Sequence, residues 1–195
     1  MAVELLTPDP GYGPSAPVAV FQWEAEFVPL LDLYRERAPR AVLEIGTYLG
    51  GTFYHWLQNA RPGATVVSVD SYTEGPDNRR QYFDWVPDGI EMIAYEADSN
   101  NPMTARMLDK HAPFDWIFID AGHYYAEVRA DWENFMPLGA PGGIIAFHDI
   151  LPPSEAWPMI EVEKLWREIQ RAGYVTREIV ADPEAEWGGI GVVYL

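Results

Sequence analysis

The sequence predicts an α/β fold, a mostly parallel sheet held between two layers of helices. Three observations carry that prediction. Short apolar runs with little polar alternation, such as "TVVSVD", read as strands buried on both faces. Amphipathic stretches of helical length separate them, which is the rhythm of right-handed βαβ units. The chain closes on "YVTREIV" and "GGIGVVYL", joined across Ala181–Trp187, and these read as an antiparallel pair.

The elements follow in order. Residues 1–20 carry Pro8, Pro10, Pro14 and Pro17 with Gly11 and Gly13, so an extended arm is expected there. Residues 21–195 are expected to form a single domain. "FQWEAEFVPLLDLYRER" has helical spacing, with Pro29 threatening a kink. Strands are then expected at "AVLEI", "TVVSVD", "IEMIAYEAD", "FDWIFID" and "GGIIAFHD". Helices are expected at "GTFYHWLQNA", "DNRRQYFDWV", "NPMTARMLDKHA" and "YYAEVRADWENFMPLG". "EVEKLWREIQRAG" is one more helix, and Gly173 is placed to end it.

Composition narrows the function. A net charge of −17 repels phosphate backbones, so nucleic acid is not an expected partner. No apolar stretch approaches the length of a membrane helix, and "MAVELLTPDPGYG" lacks the basic start of a secretory signal. With no cysteine, disulfides, thiolate nucleophiles and Cys-ligated zinc are excluded. A cytoplasmic protein is the expectation. The many Trp, Tyr and Phe residues are expected chiefly in the core, with some lining a pocket.

In an open α/β sheet, ligands bind outside the carboxyl ends of the strands. Those ends carry Glu44, then Asp70, then Asp98-Ser99, then Asp120 and His123, then His148 and Asp149. Any one of them reads plainly as a helix cap, but together they outline a site. After the first strand, "LEIGTYLGG" places Gly46, Gly50 and Gly51 in a tight turn. A pyrophosphate-binding turn follows G-x-G-x-x-G, whose middle glycine is here Tyr48. With Glu44 beside it, the turn suits a ligand carrying a cation rather than two phosphates. Asp70 is placed to accept both hydroxyls of a ribose, and Asp98-Ser99 to meet an adenine amino group. There is no P-loop and no G-x-S-x-G elbow.

"VLEIGTYLGGT", "VVSVD" and the long block "FDWIFIDAGHYYAEVRADWENFMPLGAPGGIIAFHDI" resemble the small class I S-adenosylmethionine-dependent methyltransferases. The likeness is to the group around macrocin and sugar O-methyltransferases and cephalosporin-hydroxylase-like proteins. It implies a Rossmann-like three-layer αβα sandwich whose sheet has seven strands, the last antiparallel. It also implies that S-adenosyl-L-methionine is held by Glu44, Gly46, Thr47, Tyr48, Gly50, Asp70, Asp98, Ser99 and Asp120. The expected reaction is O-methylation of a small hydroxylated acceptor. His123 or His148 would take the hydroxyl proton, with Asp120 beside them.

Some relatives bind a divalent metal through acids after the fourth and fifth strands. Here Gly122 and His148 stand where such relatives often carry acids, so a set drawn from Asp120, His123, His148 and Asp149 suits a softer ion with mixed ligands. A metal on Asp120, His148 and Asp149 is therefore an open expectation, beside one in which these groups work without metal. A nicotinamide-dependent oxidoreductase and a non-catalytic adenosyl-ligand sensor are the alternatives. Tyr48 and Glu44 speak against the first. Two aromatic-rich stretches, Arg79–Trp85 and Ser154–Trp166, could cover the acceptor or simply pack helices, and Arg79 and Arg80 could meet an acidic acceptor or pair with Asp77 and Asp84. A homo-oligomer is possible on this reading.

Overall fold

Neighbouring residues of each central strand feed two different cores. Val42, Val66, Trp116 and Ile144 pack to one side, and Leu43, Val67, Ile117 and Ile145 to the other. That is why these strands read as unbroken apolar runs: both faces are covered. The computed structural model describes residues 17–71 and 79–195. Most of the Pro-rich arm expected at residues 1–20 therefore lies outside the described residues.

The strands are β1 (Ala41–Ile45), β2 (Thr65–Asp70), β3 (Glu91–Glu96), β4 (Phe114–Ile119), β5 (Gly139–His148), β6 (Val175–Ile179) and β7 (Ile190–Tyr194). They form one seven-stranded sheet in the order β3-β2-β1-β4-β5-β7-β6. The first five are parallel, and β7 runs antiparallel to both β5 and β6. The Rossmann-like three-layer sandwich with an antiparallel last strand is thus what the chain adopts.

Helices α1 (Glu24–Arg37), α2 (Gly51–Asn59) and α3 (Arg79–Trp85) cover one face. Helices α4 (Pro102–Leu108), α5 (Tyr125–Phe135) and α6 (Val162–Arg171) cover the other. The element α1 continues through Pro29 and ends at Ala38, whose φ is 44°. In α4, Pro102 sits at the first turn, and the Asn101 side chain accepts the Met103 N–H as its cap. Past α6, Gly173 turns left-handed at φ 88° and releases the chain into β6.

The aromatic residues divide as composition suggests. Trp56, Trp116 and Trp166 are fully buried. Tyr82 and Trp85 of α3 are also core residues, so that stretch packs a helix instead of covering the sheet edge. No helix among the described residues is long and apolar enough to cross a membrane.

The sheet order reverses between β1 and β4. An open crevice forms outside the carboxyl ends of the strands at such a reversal. Here it is a cavity of about 1260 Å³.

Candidate functional site

The glycine turn between β1 and α2 forms one wall. Its geometry depends on chain packing more than on ligand approach. A Cβ at Gly46 would lie 2.0 Å from the Asp120 carbonyl oxygen, so Gly46 lets the ends of β1 and β4 close together. A Cβ at Gly51 would lie 2.1 Å from the Ala19 carbonyl oxygen, and one at Gly50 would meet the Tyr82 ring at 2.6 Å. Gly50 does not line the cavity. The sequence reading gave Gly50 to the cofactor; the space beside it is taken by α3.

Glu44 calls for a similar correction. Its side chain is fully buried and does not reach the cavity. One carboxylate oxygen accepts the Thr52 hydroxyl and the Trp56 indole N–H at 3.1 Å, both on α2. The other oxygen has no partner among the described residues. Burial pushes the carboxyl up to about 8, so at neutral pH it is held as the acid. A neutral carboxyl beneath the turn does not serve as a counter-charge for a cation. The sequence could not reveal this, because β1 alternates faces and Glu44 falls on the α2 side.

Asp70 ends β2 and lines the cavity. Its Oδ2 accepts the backbone N–H of Thr47 at 2.8 Å and of Tyr48 at 2.7 Å. Tyr48 has φ 47°, a left-handed conformation that a bulky residue adopts only when held. Thr47 is buried, and its hydroxyl finds no partner among the described residues although it lines the cavity. Tyr48 is 43% exposed and meets Phe21 edge-on at 5.2 Å.

At the end of β3, Asp98 and Ser99 also line the cavity. Their loop is fastened to α5. Asn100 donates to the Glu127 carbonyl at 3.1 Å and to Asp131 at 2.9 Å, and Asn134 donates to the Ser99 carbonyl at 2.9 Å. Asp98 Oδ1 accepts the Asn100 N–H at 2.9 Å, so the expected turn-forming role is present as well. Asp131 is wholly buried, and burial pushes its carboxyl up to about 6. Sequence reading missed Asp131; nothing but its place on the inner face of α5 marks it.

Asp120, His123, His148 and Asp149 meet across the ends of β4 and β5. His123 Nδ1 lies 3.3 Å from Asp149 Oδ2. His148 Nδ1 lies 3.4 Å from both Asp120 Oδ1 and Asp149 Oδ2. Asp149 has φ 64°, and its Oδ1 accepts the Gly188 N–H at 3.0 Å. His148 is buried. Burial alone would lower its pKa, but the Asp149 and Asp120 carboxylates together outweigh that and hold it well above the usual value. A histidine already protonated cannot accept a proton, so the geometry argues against His148 as the base. His123 remains half-open to the cavity.

One donor atom each from Asp120, His123 and Asp149 lies within 4.8 Å of the others. The sequence reading put His148 among the metal ligands; the convergent trio takes His123 instead. Two carboxylates and one imidazole fit a divalent ion of mixed N/O preference.

The far wall was foreseen only in part, through the stretch Ser154–Trp166. Gln22, just before α1, is buried and donates through Nε2 to Asp120. Trp23 stacks on Trp187 with centroids 4.8 Å apart, and Trp187 stands edge-on to His148 at 6.0 Å. Trp157, Met159 and Ile160 complete this side. For the Trp23–Trp187 pair the sequence signal was "EWGG" before β7, where Gly188 lets Trp23 approach within 2.7 Å of a would-be Cβ. Arg79 turns outward to Glu96 at 2.8 Å, and Asp77 lies outside the described residues.

The seven-stranded sheet with its antiparallel last strand, and a cavity beside β1 and β4 with an acid closing β2, match what the resemblance to class I methyltransferases implies. The family model for the methyltransferase domain matches residues 43–150, more than half of the chain, and the chain belongs to that family. An O-methyltransferase from Bacillus cereus, solved in complex with SAH, superposes with a TM-score of 0.68 at 20% identity, over 93% of this chain and 84% of that one. The O-methyltransferase TomG from Streptomyces achromogenes, involved in tomaymycin synthesis and solved with SAM, gives 0.65 at 20% identity, over 95% and 82%. At such identities the likeness is one of fold. Protein y4gI of Sinorhizobium fredii is 23% identical over 120 residues, which is 57% of this chain but 13% of that much longer relative.

Proposed function

We propose that this chain transfers a methyl group from S-adenosylmethionine to a hydroxyl of a small acceptor. The observation that carries the reading is one cavity with two differently built ends, in a chain of the methyltransferase family. Asp70, Asp98 and Ser99 stand at one end, and the Asp120–His123–Asp149 cluster at the other.

The residues present fit an adenosyl sulfonium ligand. Thr47 lines the cavity with its hydroxyl unpartnered among the described residues, carboxylates line it too, and the cavity exceeds the volume of a typical single-ligand pocket. When bound, that cofactor supplies a methyl group on a positively charged sulfur. Asp70 and the Asp98–Ser99 loop would hold its ribose and adenine, and the turn at Gly46–Tyr48 its methionine part. The protein's main contribution is placement of two reactants in a water-poor site.

His123 takes the proton of the attacking hydroxyl. Asp149 orients the ring through Nδ1, which leaves Nε2 as the accepting nitrogen. As the oxygen–carbon bond forms and the carbon–sulfur bond breaks, the proton rests on His123, and S-adenosylhomocysteine is the by-product. The same trio would alternatively hold a divalent cation, which would lower the pKa of a hydroxyl beside it.

The test is transfer of labelled methyl from S-adenosylmethionine to a panel of phenols and sugars, with S-adenosylhomocysteine measured in parallel. Stoichiometric label and by-product support the reading. Tight cofactor binding with no transfer to any acceptor would favour a sensor instead.

A further inference from the structure

The polar and aromatic part of the acceptor end is built from carboxylates, histidines, the Gln22 amide and flat rings, with Met159 and Ile160 beside them. Among the described residues, no Lys or Arg lines the cavity, while Asp70, Asp98, Asp120, Glu127, Asp149 and Glu186 do. The segments outside the described residues, 1–16 and 72–78, contain no Lys or Arg either. Of the neighbouring arginines, Arg79 is turned to Glu96 and Arg80 is exposed, and neither lines the cavity.

Gln22 adds a polar sign. Its amide nitrogen must face Asp120, because the opposite flip would set an oxygen against a carboxylate. Its Oε1 is therefore the free end of the amide, buried and with no partner among the described residues, in a side chain that lines the cavity. An unpartnered buried carbonyl at a cavity wall is satisfied by a donor from the ligand. Beside it, the stacked Trp23–Trp187 pair and Trp157 offer ring faces.

Resting on the methyltransferase reading, we propose that the acceptor is an uncharged or amine-bearing hydroxylated ring compound, and that the site rejects acceptors bearing a carboxylate, phosphate or sulfate near the reactive hydroxyl. A ring fills the tryptophan wall and gives hydroxyl or ammonium hydrogens to Gln22 Oε1 and Glu186. An anion there meets the carboxylates of Asp120, Asp149 and Glu186 against two histidines and no Lys or Arg, in a place partly shielded from water where like charges repel more strongly.

The experiment uses the full chain saturated with S-adenosylhomocysteine, in EDTA at pH 7, with binding measured by calorimetry. The ligands keep the hydroxylated ring and vary the charge of one substituent: 4-methylcatechol, dopamine and 3,4-dihydroxybenzoate, and then methyl glucoside and methyl glucuronide. The proposal expects the neutral or cationic member of at least one series to bind, and its carboxylate partner to bind about tenfold more weakly or worse. In Glu186→Lys, an exposed position that tolerates substitution, the gap should narrow about threefold or more. Equal or tighter binding of the carboxylates overturns the proposal, and so does binding of no ring compound at all. Failure of S-adenosylhomocysteine itself to bind would instead overturn the methyltransferase reading.

Discussion

The Asp70 carboxylate at the end of β2 accepts the backbone N–H of Tyr48 at 2.7 Å, reaching across to the turn that follows the neighbouring strand. The same oxygen takes the Thr47 N–H. The acid proposed to hold the ribose is also the clasp of the glycine turn, so the second strand's carboxyl end fixes the shape of the first strand's loop.

In Asp70→Asn the amide oxygen still accepts N–H groups, but without charge. Charge-assisted hydrogen bonds are roughly twice as strong as neutral ones. Melting temperature should fall by a few degrees while S-adenosylhomocysteine affinity drops about tenfold or more. A variant that keeps full affinity would remove Asp70 from the cofactor site.

Glu44→Gln should change the pH dependence of stability. The native carboxyl titrates at about 8 against 4.5 for the free group. Between those values the folded state holds a proton that the unfolded state has lost, so stability is full at low pH and declines as pH rises through 8. Glutamine keeps an oxygen for Thr52 and Trp56 without ever ionising. Urea midpoints at pH 6 and pH 9 check this: the wild type should lose stability between them, and the variant should lose distinctly less. An equal loss in both would show that Glu44 is not the titrating group.

Gly46 and Gly63 have nearly the same left-handed φ, 83° and 82°. Their surroundings differ: a Cβ at Gly46 lies 2.0 Å from the Asp120 carbonyl oxygen, whereas nothing stands within 4 Å of one at Gly63. Gly63→Ala should cost about 1 kcal/mol of strain alone. Gly46→Ala should cost about 3 kcal/mol or more and disturb Asp120. Chemical denaturation of the two variants separates the effects, and similar costs would contradict the close packing of β1 and β4.

His123→Ala should lower kcat about a hundredfold or more, the scale of a lost general base, with cofactor affinity nearly unchanged. If a metal rather than the imidazole activates the hydroxyl, EDTA should abolish turnover of the wild type and Mn²⁺ should restore it. Activity untouched by both the substitution and the chelator would clear the cluster of any role.

The fold was legible because the central strands β1, β2, β4 and β5 are largely apolar runs with Gly, Pro or Asp at their ends, covered on both faces. That Asp70, Asp98, Asp120 and His123 line one cavity was legible because strand ends in such sheets share one rim. Glu44 misled because face alternation, not proximity to the glycines, decides where a side chain goes. Gly50 misled because its neighbour is a remote helix, α3. Gln22, Trp187 and Asp131 were invisible for a common reason: each reaches its place through tertiary packing, from segments with no motif of their own.

The central claim is that an adenosyl sulfonium cofactor occupies the end of the cavity closed by Asp70. The most direct measurement is calorimetric titration of the wild-type chain with S-adenosylhomocysteine, followed by NADH under the same conditions. The account predicts saturable one-to-one binding of the first in the micromolar range and none of the second; saturable NADH binding with no heat from S-adenosylhomocysteine would contradict it.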